Sequence, residues 1–312
     1  MKKYHILAYI VLIFCLSACS FSNNHIDNNR EYEKNEFSII TLTSDDTSQK
    51  TQTWKLNFDT MSILSENNDR PIIYTNSNVR STVRKDENTV YFSETQYISM
   101  RKGKYEFIND NSKIILNNSN ENEYITSFYY DPNSKNLKTF WWCNETGGIN
   151  LKYIIFDTEG NIIEESSVKY KGENIFYPSL PPVTERIIST AKGSFFLAEN
   201  KVLYFDYNNK VTTDFITLDN IKAVIKSYSP SDNYFNKLVD FGVENEILTV
   251  SFNADNEIAG TYIAAFDFNK HFIGYSKINK NKISLFRDDR KIEISAEISP
   301  AASNICLLRD IR

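Results

Sequence analysis

Histidine, cysteine and glycine, on which most catalytic and nucleotide-binding motifs depend, are scarce in this sequence. Its 312 residues include 3 histidines, 4 cysteines and 9 glycines. His25 lies in a polar N-terminal stretch and His271 follows Lys270 in a hairpin-like turn, so neither has a partner at metal-ligand spacing. No G-x-S-x-G elbow and no Gly-rich phosphate loop occurs. The sequence therefore predicts no metal and no cofactor, and it does not favour an enzyme that depends on histidine.

Carboxylates are abundant and leave one catalytic class open. Asp and Glu together number 40, and the carboxylate pair of a glycosidase is defined by its spacing in the folded protein, not in the sequence. Asp157, Glu159 and Asn161 alternate as calcium ligands do, but Gly160 is fourth in this run, whereas an EF-hand loop needs its glycine sixth. We interpret residues 157–161 as a hairpin turn. A carboxylate-dependent glycan hydrolase or lyase stays an alternative function.

The most specific pattern lies in the first twenty residues. Two lysines precede an almost wholly apolar run, residues 6–16, which is too short to span a bilayer as a mature helix. Leu16-Ser17-Ala18-Cys19 follows at once. This quartet resembles the lipobox of bacterial lipoproteins. The resemblance implies that the chain is cut before Cys19, that the thiol is acylated, and that the lipid holds the protein on the cell membrane, facing outside the cytoplasm.

The rest of the chain divides into a tether and one folded region. Residues 1–18 are the predicted lipoprotein signal peptide. Residues 19–36 are polar and Asn-rich without periodicity, which predicts a flexible tether. Residues 37–312 form the predicted folded domain, and no apolar run within them approaches the length of a transmembrane helix. The predicted membrane contact is the lipid alone.

Charge and cysteine content limit the partners and the redox chemistry. The formal net charge is −5, with 35 basic residues and no long basic block, so the sequence predicts no nucleic-acid partner. Cys15 would leave with the signal peptide. Cys143 and Cys306 remain, either as two buried thiols or as a disulfide, which this compartment permits.

The secondary-structure signal is strands throughout, separated by Asn, Asp, Gly and Ser clusters. Residues 218–227 are the best helical candidate. An apolar strand that ends in Phe-Asp and leads into a turn recurs, and the Asp would cap its turn while Gly or Asn adopts a positive φ. The copies are Phe58-Asp59, Phe156-Asp157, Phe205-Asp206 and Phe266-Asp267.

These hairpins resemble the outer hairpins of divergent bacterial β-propellers. The resemblance implies an all-β fold, a β-propeller whose first and last strands meet to close the ring. At roughly 40–45 residues per blade, residues 37–312 would form about six or seven blades. Two β-sandwich domains that meet near Pro178, Pro181 and Pro182 are the alternative.

The function that follows is a non-catalytic binding or accessory module for a protein, peptide or glycan, since the sequence shows a β scaffold and no catalytic motif. Tyr228 and Tyr234, in loop-like sequence, are the candidate ligand-contact aromatics. The alternatives are the carboxylate enzyme and an immunity or protection lipoprotein that intercepts a toxin or a cationic peptide. Other aromatics that could contact a ligand or fill the core are Tyr97, Tyr105, Tyr124, Tyr129, Tyr130, Trp141 and Trp142.

Overall fold

The computed structural model describes residues 35–44, 49–66, 89–91, 96–101, 104–109, 112–117, 123–145, 148–177, 187–198, 200–228, 235–254, 260–279, 281–296, 298 and 305–307. Most of these residues lie in strands, and the strands form five sheets. We number the sheets 1 to 5 and call each of them a blade.

Each blade is a meander of mostly antiparallel strands. Blade 1 consists of β25 (Ile305–Leu307), β1 (Glu36–Ser44), β2 (Gln49–Asn57) and β3 (Ser62–Glu66). Blade 2 consists of β4 (Thr89–Tyr91), β5 (Gln96–Arg101), β6 (Lys104–Asn109) and β7 (Ser112–Leu116). Blade 3 consists of β8 (Glu123–Tyr130), β9 (Leu137–Glu145), β10 (Gly148–Phe156) and β11 (Ile162–Ser167), with β14 (Phe176–Tyr177) paired to β10.

The last two blades have six strands each. Blade 4 consists of β15 (Ile187–Ser189), β16 (Gly193–Ala198), β17 (Lys201–Asp206) and β18 (Val211–Thr217), extended by β12 (Lys169–Tyr170) and β13 (Glu173–Asn174). Blade 5 consists of β19 (Phe235–Glu244), β20 (Ile247–Ala254), β21 (Thr261–Asp267), β22 (Phe272–Asn279), β23 (Lys282–Arg287) and β24 (Arg290–Ser295).

The blades pack on one another through both faces. Blade 3 buries Trp141 on one face with Phe107 of blade 2, and it buries Tyr153 on the other face with Phe205 of blade 4. Further apolar clusters join blade 4 to blade 5 and blade 5 to blade 1. A sandwich sheet would bury only one face. The all-β, propeller-like fold predicted from the sequence is therefore confirmed.

The first strand of each blade lies on the inside of the ring. β8 lies beside β4 and β15, and β19 lies beside β25. The innermost strand of blade 1 thus comes from the C-terminal part of the chain, and it pairs with β1 through Ile39 opposite Leu307 and Thr41 opposite Ile305. The predicted meeting of the first and last strands is confirmed.

The described residues form five blades, where the repeat length predicted six or seven. The difference arises because the chain does not spend a constant number of residues on each blade. Blade 5 adds the hairpin of β23 and β24 to its outer edge, and blade 4 gains β12 and β13, with Tyr170 paired in parallel to Thr212. These extensions use residues that a uniform repeat would assign to further blades, and they cover edge strands that would otherwise be open.

The helix α1 (Leu218–Tyr228) connects blades 4 and 5 and confirms the helical candidate. Leu218, Ile221 and Ile225 recur at helical spacing and are buried in the cluster between these blades. Thr217 caps the helix: its hydroxyl accepts the N–H of Asn220 at 3.2 Å and donates to the Asn220 side-chain oxygen at 2.6 Å.

Two further expectations concern the membrane and the cysteines. No helix among the described residues is long and apolar enough to cross a membrane. Cys143 is buried as a thiol in β9 of blade 3, whereas Cys306 belongs to β25 of blade 1. The interpretation of Cys143 as a buried thiol is confirmed.

Candidate functional site

The Phe-Asp recurrence is a set of turns between the third and fourth strands of a blade, counted from the inside. In blade 3 the Asp157 carboxylate accepts the backbone N–H of Glu159 at 2.9 Å and of Asn161 at 2.8 Å. The same capping arrangement recurs at Asp206 in blade 4 and at Asp267 in blade 5. The predicted outer hairpins, capped by Asp, are confirmed at these three positions.

The capping hydrogen bonds stabilise the charged form of the aspartates. The backbone N–H of Asn161 lowers the pKa of Asp157 below its usual value. At Asp267 burial works in the opposite direction, but the hydrogen bonds from the backbone and side chain of His271 and from the backbone of Asn269, with the charge of His271, together outweigh it and the pKa is again lowered. The Asp157 carboxylate therefore caps the turn in which it lies, as the hairpin interpretation predicts.

The Phe58-Asp59 copy differs from the prediction. Asn57 caps this turn, because its side-chain oxygen accepts the N–H of Asp59 and of Thr60 at 3.0 Å each. The capping role predicted for Asp59 is therefore wrong. A further capped turn, at Asp131 between β8 and β9, was not predicted, because it joins the first two strands of its blade and follows Tyr130 instead of Phe.

The residues with positive φ in these turns are mostly not glycine. Gly160 has a φ of 83°, but Lys210 has 55°, Lys270 has 70°, Lys135 has 57° and Met61 has 51°. The prediction that Gly or Asn would take these positions is right only at Gly160. A non-glycine residue there costs about 1 kcal/mol, and at Lys210 and Lys270 the side chain makes contacts that glycine could not make.

The turns between the third and fourth strands of blades 4 and 5 lie against the fourth strand of the preceding blade. Lys210 forms an ion pair with Glu164 of β11 at 2.9 Å, and its ammonium lies 4.6 Å from the centre of the Tyr153 ring. Lys270 donates to the carbonyl oxygen of Asp214 at 2.8 Å and lies over the ring of Phe215. The lysines in the turns thus join blade 4 to blade 3 and blade 5 to blade 4.

The turn of blade 3 makes the corresponding contact through its backbone. The N–H of Asn117, just after β7, donates to the carbonyl oxygen of Gly160 at 2.9 Å. A Cβ atom at Gly160 would stand 1.9 Å from the carbonyl oxygen of Ile115. Glycine is required here both by its positive φ and by this close approach of two backbones.

The turn of blade 1 closes the ring onto blade 5. Asp59 forms an ion pair with Arg287 at the end of β23. The side-chain amide of Asn35 donates to the same carboxylate at 2.8 and 3.0 Å. A second link joins the same blades, since the Glu244 carboxylate accepts the backbone N–H of Ser38 at 2.6 Å. Asn35 immediately precedes β1, so the chain enters the ring beside this turn.

A chain of buried hydroxyl groups joins the inner strands of blades 3 and 4. Ser127 Oγ lies 2.9 Å from Ser189 Oγ, Ser194 Oγ donates to Ser189 Oγ at 2.9 Å, and Ser194 Oγ lies 2.7 Å from the Tyr207 hydroxyl. We call these four residues the serine–tyrosine chain. Burial raises the pKa of Tyr207 above its usual value, so its hydroxyl stays neutral. Neutral hydroxyls bonded to one another stabilise the interface and do not form an activated nucleophile.

Lys138 lies between the serine–tyrosine chain and the protein surface. Its ammonium lies 4.8 Å from the ring centre of Tyr207 and 5.8 Å from that of Tyr129, and it donates to the carbonyl oxygen of Ala191 at 3.4 Å. The Lys138 ammonium also lies 3.8 Å from the Asp131 carboxylate. Burial and the charge of Asp131 raise the pKa of Tyr129. Tyr129 is half-buried beside a cation and a carboxylate, which is a surface suited to polar contacts.

Among the described residues, the most deeply buried carboxylate with an ion-pair partner is Glu123, on the innermost strand of blade 3. Lys152 lies 2.6 Å from its carboxylate and 2.8 Å from that of Glu165. Burial works against the charge on Lys152, but these two carboxylates raise its pKa above the usual value. Glu123 and Glu165 thus share a cation. A glycosidase needs two carboxylates that reach the substrate, and Glu123 is only 4% exposed.

The aromatics singled out in the sequence divide between core and surface. Tyr105, Trp141 and Trp142 are buried, whereas Tyr97, Tyr124, Tyr129 and Tyr130 are half-buried. Tyr228 ends α1. Cys19, His25 and Tyr234 lie outside the described residues. Within the part of the chain that the structure describes, no three His, Cys, Asp or Glu side chains are grouped so that they could share a metal ion.

The sheet arrangement defines a class, an all-β propeller-like protein. No family model and no curated protein matches the sequence. Solved structures that it resembles include the tricorn protease (9% identity, TM-score 0.38), with 76% of this chain and 22% of that chain covered. Others are the Nup133 β-propeller domain of Vanderwaltozyma polyspora (9%, 0.33) and regucalcin, a calcium-binding protein of Agrobacterium tumefaciens (9%, 0.32). Each of these two covers 84% of this chain and 90% of its own. These likenesses concern the fold alone.

Proposed function

We propose that this protein is a lipoprotein, anchored to the membrane through Cys19 outside the cytoplasm, whose propeller is a non-catalytic binding or accessory module. The observation that carries the proposal is where the chain enters the fold. Fifteen residues separate Cys19 from Asn35, and Asn35 is hydrogen-bonded to Asp59 at the closure of the ring. The residues that follow the lipobox-like quartet are polar. They end at Asn35, which is attached to the fold by its hydrogen bonds to Asp59.

The contacts between the blades support a binding role. Lys210, Lys270 and Arg287 each join their own blade to a neighbour. Such a ring holds its loops in fixed relative positions, which lowers the entropic cost of binding a protein, peptide or glycan. The carboxylate enzyme finds less support, because the Glu123 and Glu244 carboxylates are already engaged with Lys152 and Ser38.

The anchor is tested by Cys19→Ala, with Cys15→Ala as the matched control. Cys15 lies in the apolar part of the predicted signal and would be removed with it. We expect the wild type and Cys15→Ala to enter the detergent phase in a phase-separation assay, and Cys19→Ala to stay in the aqueous phase. Equal partitioning of Cys19→Ala and the wild type would refute the lipid anchor.

The binding role is tested with the detergent-solubilised full-length protein. We expect saturable binding to at least one member of a panel of cell-wall glycan fragments and cationic peptides, with every ligand recovered unchanged. Saturation by cationic peptides alone would support the protection alternative within the binding class. Turnover of a glycan that is lost in Glu123→Gln would contradict the non-catalytic role.

A further inference from the structure

Exposed aliphatic side chains recur near the starts of the fourth strands, counted from the inside of the ring. Ile162 and Ile163, the first two residues of β11, are 40% and 54% exposed, and Val211, the first residue of β18, is 51% exposed. Leu64 in β3 is 58% exposed. All four follow the turn between the third and fourth strands of their blade. We call these four residues the aliphatic rim.

The aliphatic rim lies at the end of the ring where the tether joins it. The turns between third and fourth strands occupy equivalent places in blades 1, 3 and 4, and Asn35 is bonded to the turn of blade 1. We call this end of the ring the turn end. α1 lies at the opposite end, because it joins the end of β18 to the start of β19.

The length of the tether restricts how the ring can face a membrane. A flexible chain of fifteen residues has a root-mean-square span of roughly 19–23 Å. A compact domain of this size has a radius of gyration of about 19 Å, and hence a diameter of about 50 Å. A lipid at Cys19 would therefore keep the turn end close to the bilayer, and the far end could face the bilayer only if the tether were nearly fully extended.

We propose that the aliphatic rim contacts the lipid bilayer and orients the ring, with the turn end toward the membrane and α1 away from it. This inference rests on the proposed lipid anchor. Apolar side chains with half their surface exposed gain from contact with the bilayer interface. The turn lysines are offset by aspartates in the same turns, Lys210 by Asp206 and Lys270 by Asp267, so the contact does not depend on anionic lipid.

The orientation is measured with full-length lipidated protein in phosphatidylcholine vesicles that carry a headgroup quencher. A fluorophore is attached to Asn208→Cys at the turn end, or to Ala223→Cys on the exposed side of α1. We expect quenching of the label at 208 to exceed that at 223 by about twofold or more, and to change little with salt. Equal or reversed quenching in protein that stays bound to the vesicles would overturn the orientation.

The rim itself is tested by Ile163→Asn/Val211→Asn, with Ala223→Asn as the control, each with the label at 208. We expect the rim variant to lose about half of the quenching at 208 while it remains bound through the lipid. Ala223→Asn should retain the quenching. Unchanged quenching in the rim variant would refute the aliphatic contact. Release of every variant from the vesicles would refute the anchor, and with it the orientation.

Discussion

At the scale of single residues, buried polar groups in this protein connect neighbouring blades. The serine–tyrosine chain is the clearest case: Ser127 of blade 3 contacts Ser189 of blade 4, and within blade 4 the Ser194 hydroxyl contacts both Ser189 and Tyr207. A buried hydroxyl that loses its partner costs about 1–3 kcal/mol. Removal of the Ser194 hydroxyl should therefore cost more than the loss of an average hydrogen bond, because both Ser189 and Tyr207 are bonded to it.

We expect Ser194→Ala to lower the free energy of unfolding by about 1–3 kcal/mol, because it leaves the Tyr207 hydroxyl buried without this partner. Thr213→Ala, at an exposed position of β18, should change it by less than about 0.5 kcal/mol. Urea denaturation measures both. Tyr207→Phe should restore part of the stability in the Ser194→Ala background, and a strictly additive double variant would contradict the coupling.

The capped aspartates predict how stability depends on pH. The folded-state pKa of Asp157 is lowered, so its contribution is present above the unfolded-state pKa of about 3.9 and is lost as the pH falls through the folded value. We expect the denaturation midpoint to fall as the pH drops below about 4, and to fall less steeply in Asp157→Asn. Asp289→Asn, in an exposed turn, is the control. An unchanged slope in Asp157→Asn would count against the capping role.

At the scale of elements, the turn between the third and fourth strands of a blade packs against the fourth strand of the preceding blade, and the two form one unit. Gly160 shows why: its carbonyl oxygen accepts a hydrogen bond from Asn117, and no Cβ fits beside Ile115. Gly172 has a similar φ of 86° but has nothing within 4 Å of an added Cβ. A comparison of substitutions at the two glycines therefore separates the energetic cost of a positive φ from the cost of a steric clash.

We expect Gly172→Ala to lower the free energy of unfolding by about 1 kcal/mol, the cost of a left-handed φ alone. Gly160→Ala should cost at least about 2 kcal/mol, because blades 2 and 3 must also move apart. Denaturant unfolding of the two variants gives the comparison. Equal losses would show that the contact between turn and strand does not hold the blades together.

The sequence predicted much of the fold at the level of elements, but not which residues make the contacts. Alternating strands, the Phe-Asp hairpins and α1 follow from local periodicity and turn chemistry, which the sequence displays directly. The capping role of Asn57, the ion pair of Asp59 and the lysines at positive φ depend on the neighbouring blade. The serine–tyrosine chain could not be predicted either, because it brings together residues from strands far apart in the sequence.

At the scale of the whole molecule, the ring is closed by a short strand and by charged links between its ends. The described part of β25 has three residues against nine in β1. Asp59 and Arg287, about one-quarter exposed, add an ion pair between blades 1 and 5. A partly buried pair of this kind contributes more than an exposed one, because it is less screened by solvent.

We expect Arg287→Ala to weaken ring closure specifically. Amide hydrogen exchange in β1 should become faster by about tenfold, which corresponds to about 1.4 kcal/mol of lost local stability, while exchange in β9 and β10 stays unchanged. Lys291→Ala removes an exposed charge that pairs with Glu293 in blade 5 and should leave β1 protected. Equal acceleration in all blades would show that the pair stabilises the fold as a whole and not its closure.

The proposed membrane anchor and the proposed orientation of the ring both depend on the chemistry of Cys19. Mass spectrometry of the N-terminal peptide from membrane-extracted protein tests it most directly. We predict a mature chain whose first residue is Cys19, carrying the added mass of a thioether-linked diacylglyceryl group. An N-terminal peptide that carries an unmodified Cys19, or a mature chain that begins at any other residue, would contradict the account.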